Sequence, residues 1–329
     1  RDRPMETPVL SLRGLTTVVD HPGGPAAVVD GADLELIAGE TVALVGESGS
    51  GKTMAALSIL GLVPPPGRVA AGSIRFRGRE LVGLAEDEYR RIRGRHISMI
   101  FQEPMTALNP VFTVGEQIGE GLMLHLGLSR RVAAQRATDL LAEVGIPNPA
   151  RRAAGYPHEL SGGMRQRVMI AMALACGPDA VLADEPTTAL DVTIQAEIID
   201  LLGRLQAERG MSVLLITHDL GVVAQSARRA AVMYAGRVVE RGDVAGLFRQ
   251  PLHPYTQGLL ASLPRLDAPG ARLTPIAGSV PDIAALPLGC HFHPRCPHAF
   301  ARCREAAPPS FGDADRAARC WLLDKGAAS

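Results

Sequence analysis

Lysine is nearly absent from this chain of 329 residues: of its 34 basic residues, all but Lys52 and Lys325 are arginine. Cysteine is almost as scarce, with Cys176 alone in the first 289 residues. Formal charge of either sign is not in excess, because 34 basic residues balance 34 acidic ones. That balance excludes a global basic field that would attract nucleic acid or anionic lipid. No apolar run approaches the roughly 20 residues needed to span a bilayer. The opening RDRPMETPVL has early arginines without an apolar core behind them, so it does not read as a secretory leader. A soluble, cytosolic protein is expected, in which structural disulfides are disfavoured. A hydrophobic content of 47% suits one large domain with an appendage, or two domains.

Against this sparing background the exceptions stand out. Lys325 lies in the C-terminal tail, but Lys52 lies in GESGSGKT. The run TVALV before it is short, apolar and β-branched, which predicts a buried parallel strand over 41–45. Gly46 to Thr53 then match G-x-x-x-x-G-K-[ST]. Small residues at Gly46, Gly49 and Gly51 would let backbone N–H groups of Ser48, Ser50 and their neighbours turn inward around phosphate oxygens. A helix starting near Lys52 would aim its positive end at the same anion. Lys52 would reach the β- and γ-phosphates, and the Thr53 hydroxyl would ligate Mg²⁺.

A second apolar run, Ala180 to Ala183, ends in Asp184 and Glu185. The C-terminal ends of parallel strands are where ligands bind in open α/β sheets. Asp184 is placed to hold Mg²⁺ and Glu185 to act as general base on an attacking water. In LSGGMRQR, Ser161 reads as an N-cap and Gly162–Gly163 as backbone donors at a helix start, a second phosphate-binding element. His218 follows an apolar run over 213–217 and reads equally as a phosphate ligand or a helix cap, with Asp219 competing for the cap.

The ordered motifs GESGSGKT, LSGGMRQR, VLADEPTTALD and LLITHDL resemble the nucleotide-binding domain of an ABC transporter. The resemblance implies an α/β fold: a P-loop core, an antiparallel β subdomain over the alternating runs of 9–76, and a helical subdomain over 104–160. Helices are expected in VGEQIGEGLMLHLG and RRVAAQRATDLLAEVG. It also implies that Gln102 touches Mg²⁺ and senses the γ-phosphate. Ser161 and Gly163 would contact ATP held by a partner subunit, Asp191 would lie in the loop at the dimer interface, and His218 would contact the γ-phosphate. The aromatic that often covers adenine in this family is missing from VVDHPGGPAAVV, leaving His21 or Val28 for that role.

From Arg249 the texture becomes proline-rich and poorly periodic, like an extended crossing segment, and a division into 1–248 and 249–329 is expected. The remaining cysteines, Cys290, Cys296, Cys303 and Cys320, all fall in this tail with spacing C-x5-C-x6-C-x16-C. Such gaps are longer than those of the usual zinc pairs. Four thiolates on irregular backbone suit an iron–sulfur cluster, and His291, His293 and His298 leave zinc open. A metal would supply the core of a segment poor in apolar residues, and that core is expected to be separate from the phosphate loop's. PLHPYTQGLL, GCHFHPRCPHAFARC and RCW are similar to the C-terminal extension of oligopeptide/dipeptide importer ATPases, which implies a [4Fe–4S] cluster on these four cysteines.

The resemblance implies an ATP-hydrolysing subunit at the cytoplasmic face of the inner membrane. Its partners would be a paralogous ATPase subunit, two transmembrane permease subunits and, through them, an extracytoplasmic solute-binding protein. Nickel, an opine or another small solute is the alternative cargo to peptides. A soluble ABC ATPase acting on nucleic acid or ribosomes would call for two cassettes, a coiled coil or a basic arm, none of which the sequence offers.

Overall fold

The computed structural model describes residues 7–188, 190–263, 275–313 and 315–324. The chain forms two compact units, one of residues 1–10, 36–40 and 76–216, the other of 11–35, 41–75 and 217–329. Among the described residues no helix is long and apolar enough to cross a membrane.

The first unit is built on parallel strands. Ala180–Asp184 is buried along its whole length. It pairs in parallel with Ile97–Ile100 on one side and with Ser212–Thr217 on the other. A strand covered on both faces needs an unbroken apolar run, which AVLA provides. Its C-terminal end therefore delivers Asp184, buried, at the end of an interior strand, with Glu185 just beyond at φ 45°.

The helical part of this unit follows from its caps. Thr113 accepts from Glu116 N while the Glu116 carboxylate accepts from Thr113 N, a reciprocal box that starts the helix Val114–Leu126. Gly127 closes it in the left-handed region. Ser129 caps the next helix, Arg130–Glu143. Val114, Ile118 and Leu122 on the first, and Ala133, Ala137, Leu140 and Leu141 on the second, are buried. Both helices lie within the segments where the sequence led us to expect them, VGEQIGEGLMLHLG and RRVAAQRATDLLAEVG.

The second unit carries the strands Leu10–His21, Gly24–Leu36 and Gly67–Phe76, hydrogen-bonded in one sheet with the first in the middle. Beside them Thr41–Val45 pairs in parallel with Arg229–Tyr234, and Arg237–Asp243 returns antiparallel to the latter. The tail continues this sheet: Ala317–Ala318 pairs with Glu240 and Arg241, and Phe311–Gly312 pairs with Ala317–Ala318 in turn.

The proline-rich stretch after Arg249 is not wholly irregular. It opens on the helix Pro254–Ala261, where Pro254 occupies the first turn and His253 Nδ1 accepts from Tyr255 N at 3.0 Å. Proline is at home in that position, so what reads as a breaker in the sequence is here a start signal. Residues 264–274 of the expected crossing segment lie outside the described residues.

The expected separate core of the tail is not what forms. Val45, at the end of the phosphate-loop strand, shares one apolar cluster with Tyr234, Tyr255 and Phe292, against which Cys290 and Cys296 pack. The aromatic rings of the tail fill space beside the central strands, which a segment thin in aliphatic residues could not fill alone.

Candidate functional site

Gly46–Thr53, His218 and the four tail cysteines belong to the second unit, and Gln102, Ser161, Gly163, Asp184, Glu185 and Asp191 to the first.

In the phosphate loop, glycine is required by the protein's own backbone. A Cβ on Gly46 would stand 2.1 Å from Met233 O. Gly51, at φ 102°, would put one 2.3 Å from Val28 O. The helix Lys52–Ile59 begins at Gly51 with no side chain capping its N-terminus. Lys52 is buried and donates to Gly46 O at 2.8 Å and Glu47 O at 3.0 Å, so the ammonium is folded over the start of the loop. The Ser50 hydroxyl is buried without a hydrogen-bond partner among the described residues. An uncapped helix start, a cation and an orphaned hydroxyl are donors suited to phosphate oxygens. Thr53 is exposed.

Glu47, at the second position of the loop, is the residue sequence reasoning passed over. Its carboxylate accepts from Arg295 twice, at 2.7 and 3.0 Å, and its N–H donates to the Tyr255 hydroxyl at 2.9 Å. Burial pushes the Tyr255 phenol far above its ordinary range, so it remains a neutral hydroxyl. Of the two candidates for covering adenine, Val28 is buried and His21 is exposed.

In the first unit the parallel register sets the acidic strand end against its neighbour. Ile100 lies opposite Ala183, which brings the positions two residues further, Gln102 and Glu185, alongside. Gln102 Nε2 donates to Glu185 Oε2 at 3.1 Å, and Thr188 Oγ1 donates to the same oxygen at 2.8 Å. Asp184 is buried. Ser161 caps the helix Gly162–Leu174, accepting from Met164 N at 3.4 Å, and lies exposed with Gly162. A Cβ on Gly163 would meet Ile194 Cγ2 at 2.9 Å. Asp191 caps the helix Val192–Arg209 through Ile194 N. In the second unit, the competition between His218 and Asp219 is resolved: Asp219 takes the cap of Leu220–Ser226, accepting from Gly221 N and Val222 N, and His218 is exposed.

The four tail cysteines line one cavity, together with His253, Pro254, Phe292, His293, His298, Trp321 and Leu322. None forms a disulfide. Cys290 N donates to Cys303 O at 2.8 Å, fastening the two cysteine segments to each other. Trp321 Nε1 donates to Ala306 O, and the Arg302 guanidinium lies 3.7 Å over the indole ring. Burial pushes the thiols of Cys290 and Cys296 up, and that of Cys320 to about 11. Any metal taken up here would have to displace protons. The donor set fits a thiolate-ligated group. As placed, the sulfurs surround a cavity rather than a point: among the described residues no three His, Cys, Asp or Glu side chains could hold a metal ion. His291 is turned away, its Nδ1 at 2.8 Å from Ala235 O.

The family model for the ABC transporter matches residues 29–188, and that for the oligopeptide/dipeptide transporter C-terminal region matches 239–303. The chain is 51% identical to the dipeptide transport ATP-binding protein DppD of Bacillus subtilis over 96% of its own length and 95% of that protein. It is 50% identical to DppD of Escherichia coli over 91% and 92%. Among solved structures, the dimeric bacterial ABC transporter cassette MJ0796 superposes with a TM-score of 0.64 at 30% identity, covering 71% of this chain and 98% of that one. The cassette cbiO1 of Clostridium perfringens gives 0.63 at 26% identity, covering 74% and 92%.

Proposed function

The chain belongs to the ABC transporter ATP-binding proteins of the oligopeptide/dipeptide class, and from that premise we propose that it drives import of di- or oligopeptides by hydrolysing ATP. The observation that carries the chemistry is the phosphate loop, with Lys52 folded over an uncapped helix start. The cargo reading is supported by the names of relatives at 50% and 51% identity over nearly the full chain.

In this reading Gly46, Ser48, Gly49, Ser50, Gly51, Lys52 and Thr53 bind the ATP phosphates through backbone N–H groups, hydroxyls and the ammonium. Thr53, Gln102 and Asp184 would hold Mg²⁺, which would supply positive charge against the ATP phosphates. Glu185 takes a proton from the attacking water, and His218 contacts the γ-phosphate. Ser161 and Gly163 present their helix start to ATP on a second ATPase subunit, so hydrolysis requires a pair. The partner is a paralogous subunit. The pair sits on two permease subunits at the cytoplasmic face of the membrane and serves a solute-binding protein on the other side. Cys290, Cys296, Cys303 and Cys320 would hold a [4Fe–4S] cluster, which would supply folding free energy to the tail once the thiols give up their protons.

The test is isolation of the assembled complex. Two permease subunits, a second ATPase subunit and peptide-stimulated ATP turnover are expected. Turnover stimulated by nickel or an opine and not by peptides would replace the cargo while leaving the ATPase.

A further inference from the structure

We infer that Arg295 and Tyr255, both outside the nucleotide motifs, are positioning residues of the phosphate loop, acting through Glu47. The inference rests on the reading of Gly46–Thr53 as the ATP phosphate site.

Three polar groups of Glu47 are engaged at once. Its carbonyl accepts from Lys52 Nζ at 3.0 Å. Its N–H donates to the Tyr255 hydroxyl at 2.9 Å. Its carboxylate takes both terminal nitrogens of Arg295, at 2.7 and 3.0 Å. The lysine that must meet phosphate and the two residues from the tail therefore converge on one loop residue.

The holders are themselves fixed. The Arg295 side chain is 5% exposed, and its Nε donates to Ala277 O at 2.9 Å. The Tyr255 ring is fully buried, with its centroid 4.6 Å from that of Tyr234 and 5.4 Å from that of Phe292. A fork of two charge-assisted hydrogen bonds from a buried guanidinium constrains direction as well as distance, unlike an exposed ion pair. A phosphate loop gains affinity when its donors converge before the ligand enters, and such pre-ordering is what fixing Glu47 supplies.

The same residues adjoin the thiol cavity. Arg295 precedes Cys296, Tyr255 follows Pro254 in the cavity wall, and Phe292 lies against both Tyr255 and the cavity. Disturbing the cavity should therefore reach the loop through Arg295 and Tyr255, each one residue along the chain from the cavity wall and each hydrogen-bonded to Glu47.

The experiment measures affinity for a fluorescent ATP analogue, KM and kcat, and thermal stability, on the full chain. The variants are Arg295→Ala, Arg295→Lys, Tyr255→Phe, Glu47→Gln, and Glu47→Gln combined with Arg295→Ala. Arg295→Ala is expected to weaken binding about tenfold, the scale of a lost charge-assisted contact, with KM rising more than kcat falls. Arg295→Lys should recover part of the loss. The double variant should bind no more weakly than the worse single one, because both changes remove the same contact. Tyr255→Phe and Glu47→Gln keep the packing and provide the measurement if Arg295→Ala fails to fold. Losses that add in the double variant, or variants that bind like the wild type while only melting earlier, would overturn the inference. Wild-type protein that binds no ATP would instead overturn the nucleotide reading.

Discussion

Gln102 Nε2 donates to Glu185 Oε2 across 3.1 Å. The contact is a product of register: Ile100 faces Ala183 in parallel pairing, so the residues two steps past that pair, Gln102 and Glu185, come alongside. Thr188 supplies a second donor to the same oxygen, and Glu185 itself sits at φ 45°. A carboxylate proposed to polarise water is thus oriented by two side chains, one of them the glutamine proposed to sense the γ-phosphate. Replacing Gln102 with Ala should lower turnover at saturating ATP by about tenfold, close to 1.4 kcal/mol of barrier. Single-turnover kinetics would check this, and unchanged turnover would show that Gln102 does not orient the base.

Lys52→Ala should raise the dissociation constant for ATP by about a hundredfold or more, since the chain has no second lysine among its described residues to replace it. Titration calorimetry would read it directly. Affinity within a few-fold of wild type would mean that the backbone donors and the helix start suffice alone.

How much of this was legible beforehand depends on the range of the interaction. Thr41–Val45 and Ala180–Asp184 were readable because burial on both faces demands a contiguous apolar run. The helices Val114–Leu126 and Arg130–Glu143 were readable as helix-rich segments of the expected helical subdomain, and Ser161 from its local capping chemistry. The helix Pro254–Ala261 was hidden because Pro254 at its start, like Pro251 before it, resembles a breaker. The strands Phe311–Gly312 and Ala317–Ala318 are two residues each, too short for any pattern to show. Arg295 and Tyr255 were invisible for a different reason: their partner Glu47 is more than two hundred residues away, and nothing local to either announces it.

Ser161→Arg should block hydrolysis while leaving ATP affinity of an isolated subunit unchanged. The motivation is an exposed cap at a helix start, with a hydroxyl spent on Met164 N within its own chain. Loss of ATP affinity in the monomer would show that this helix start serves its own subunit's nucleotide.

Protein purified without oxygen should be brown and carry about four iron atoms per chain. Cys303→Ser should strip the metal. Cys296→Ser should do so too and, since Arg295 is its neighbour, should also weaken ATP binding measurably, in contrast to the expectation of separate cores. One zinc and no iron would replace the cluster with a single ion. No metal, with all four thiols alkylated in the folded protein, would leave the cavity a packing feature.

The proposed hydrolysis depends on Glu185 as the base. Measuring ATP affinity and steady-state turnover of wild type and Glu185→Gln in the assembled complex tests it most directly. Equal affinity is expected, with a turnover reduced by at least about 3 kcal/mol of transition-state stabilisation, more than a hundredfold. Near-normal turnover in Glu185→Gln would contradict it.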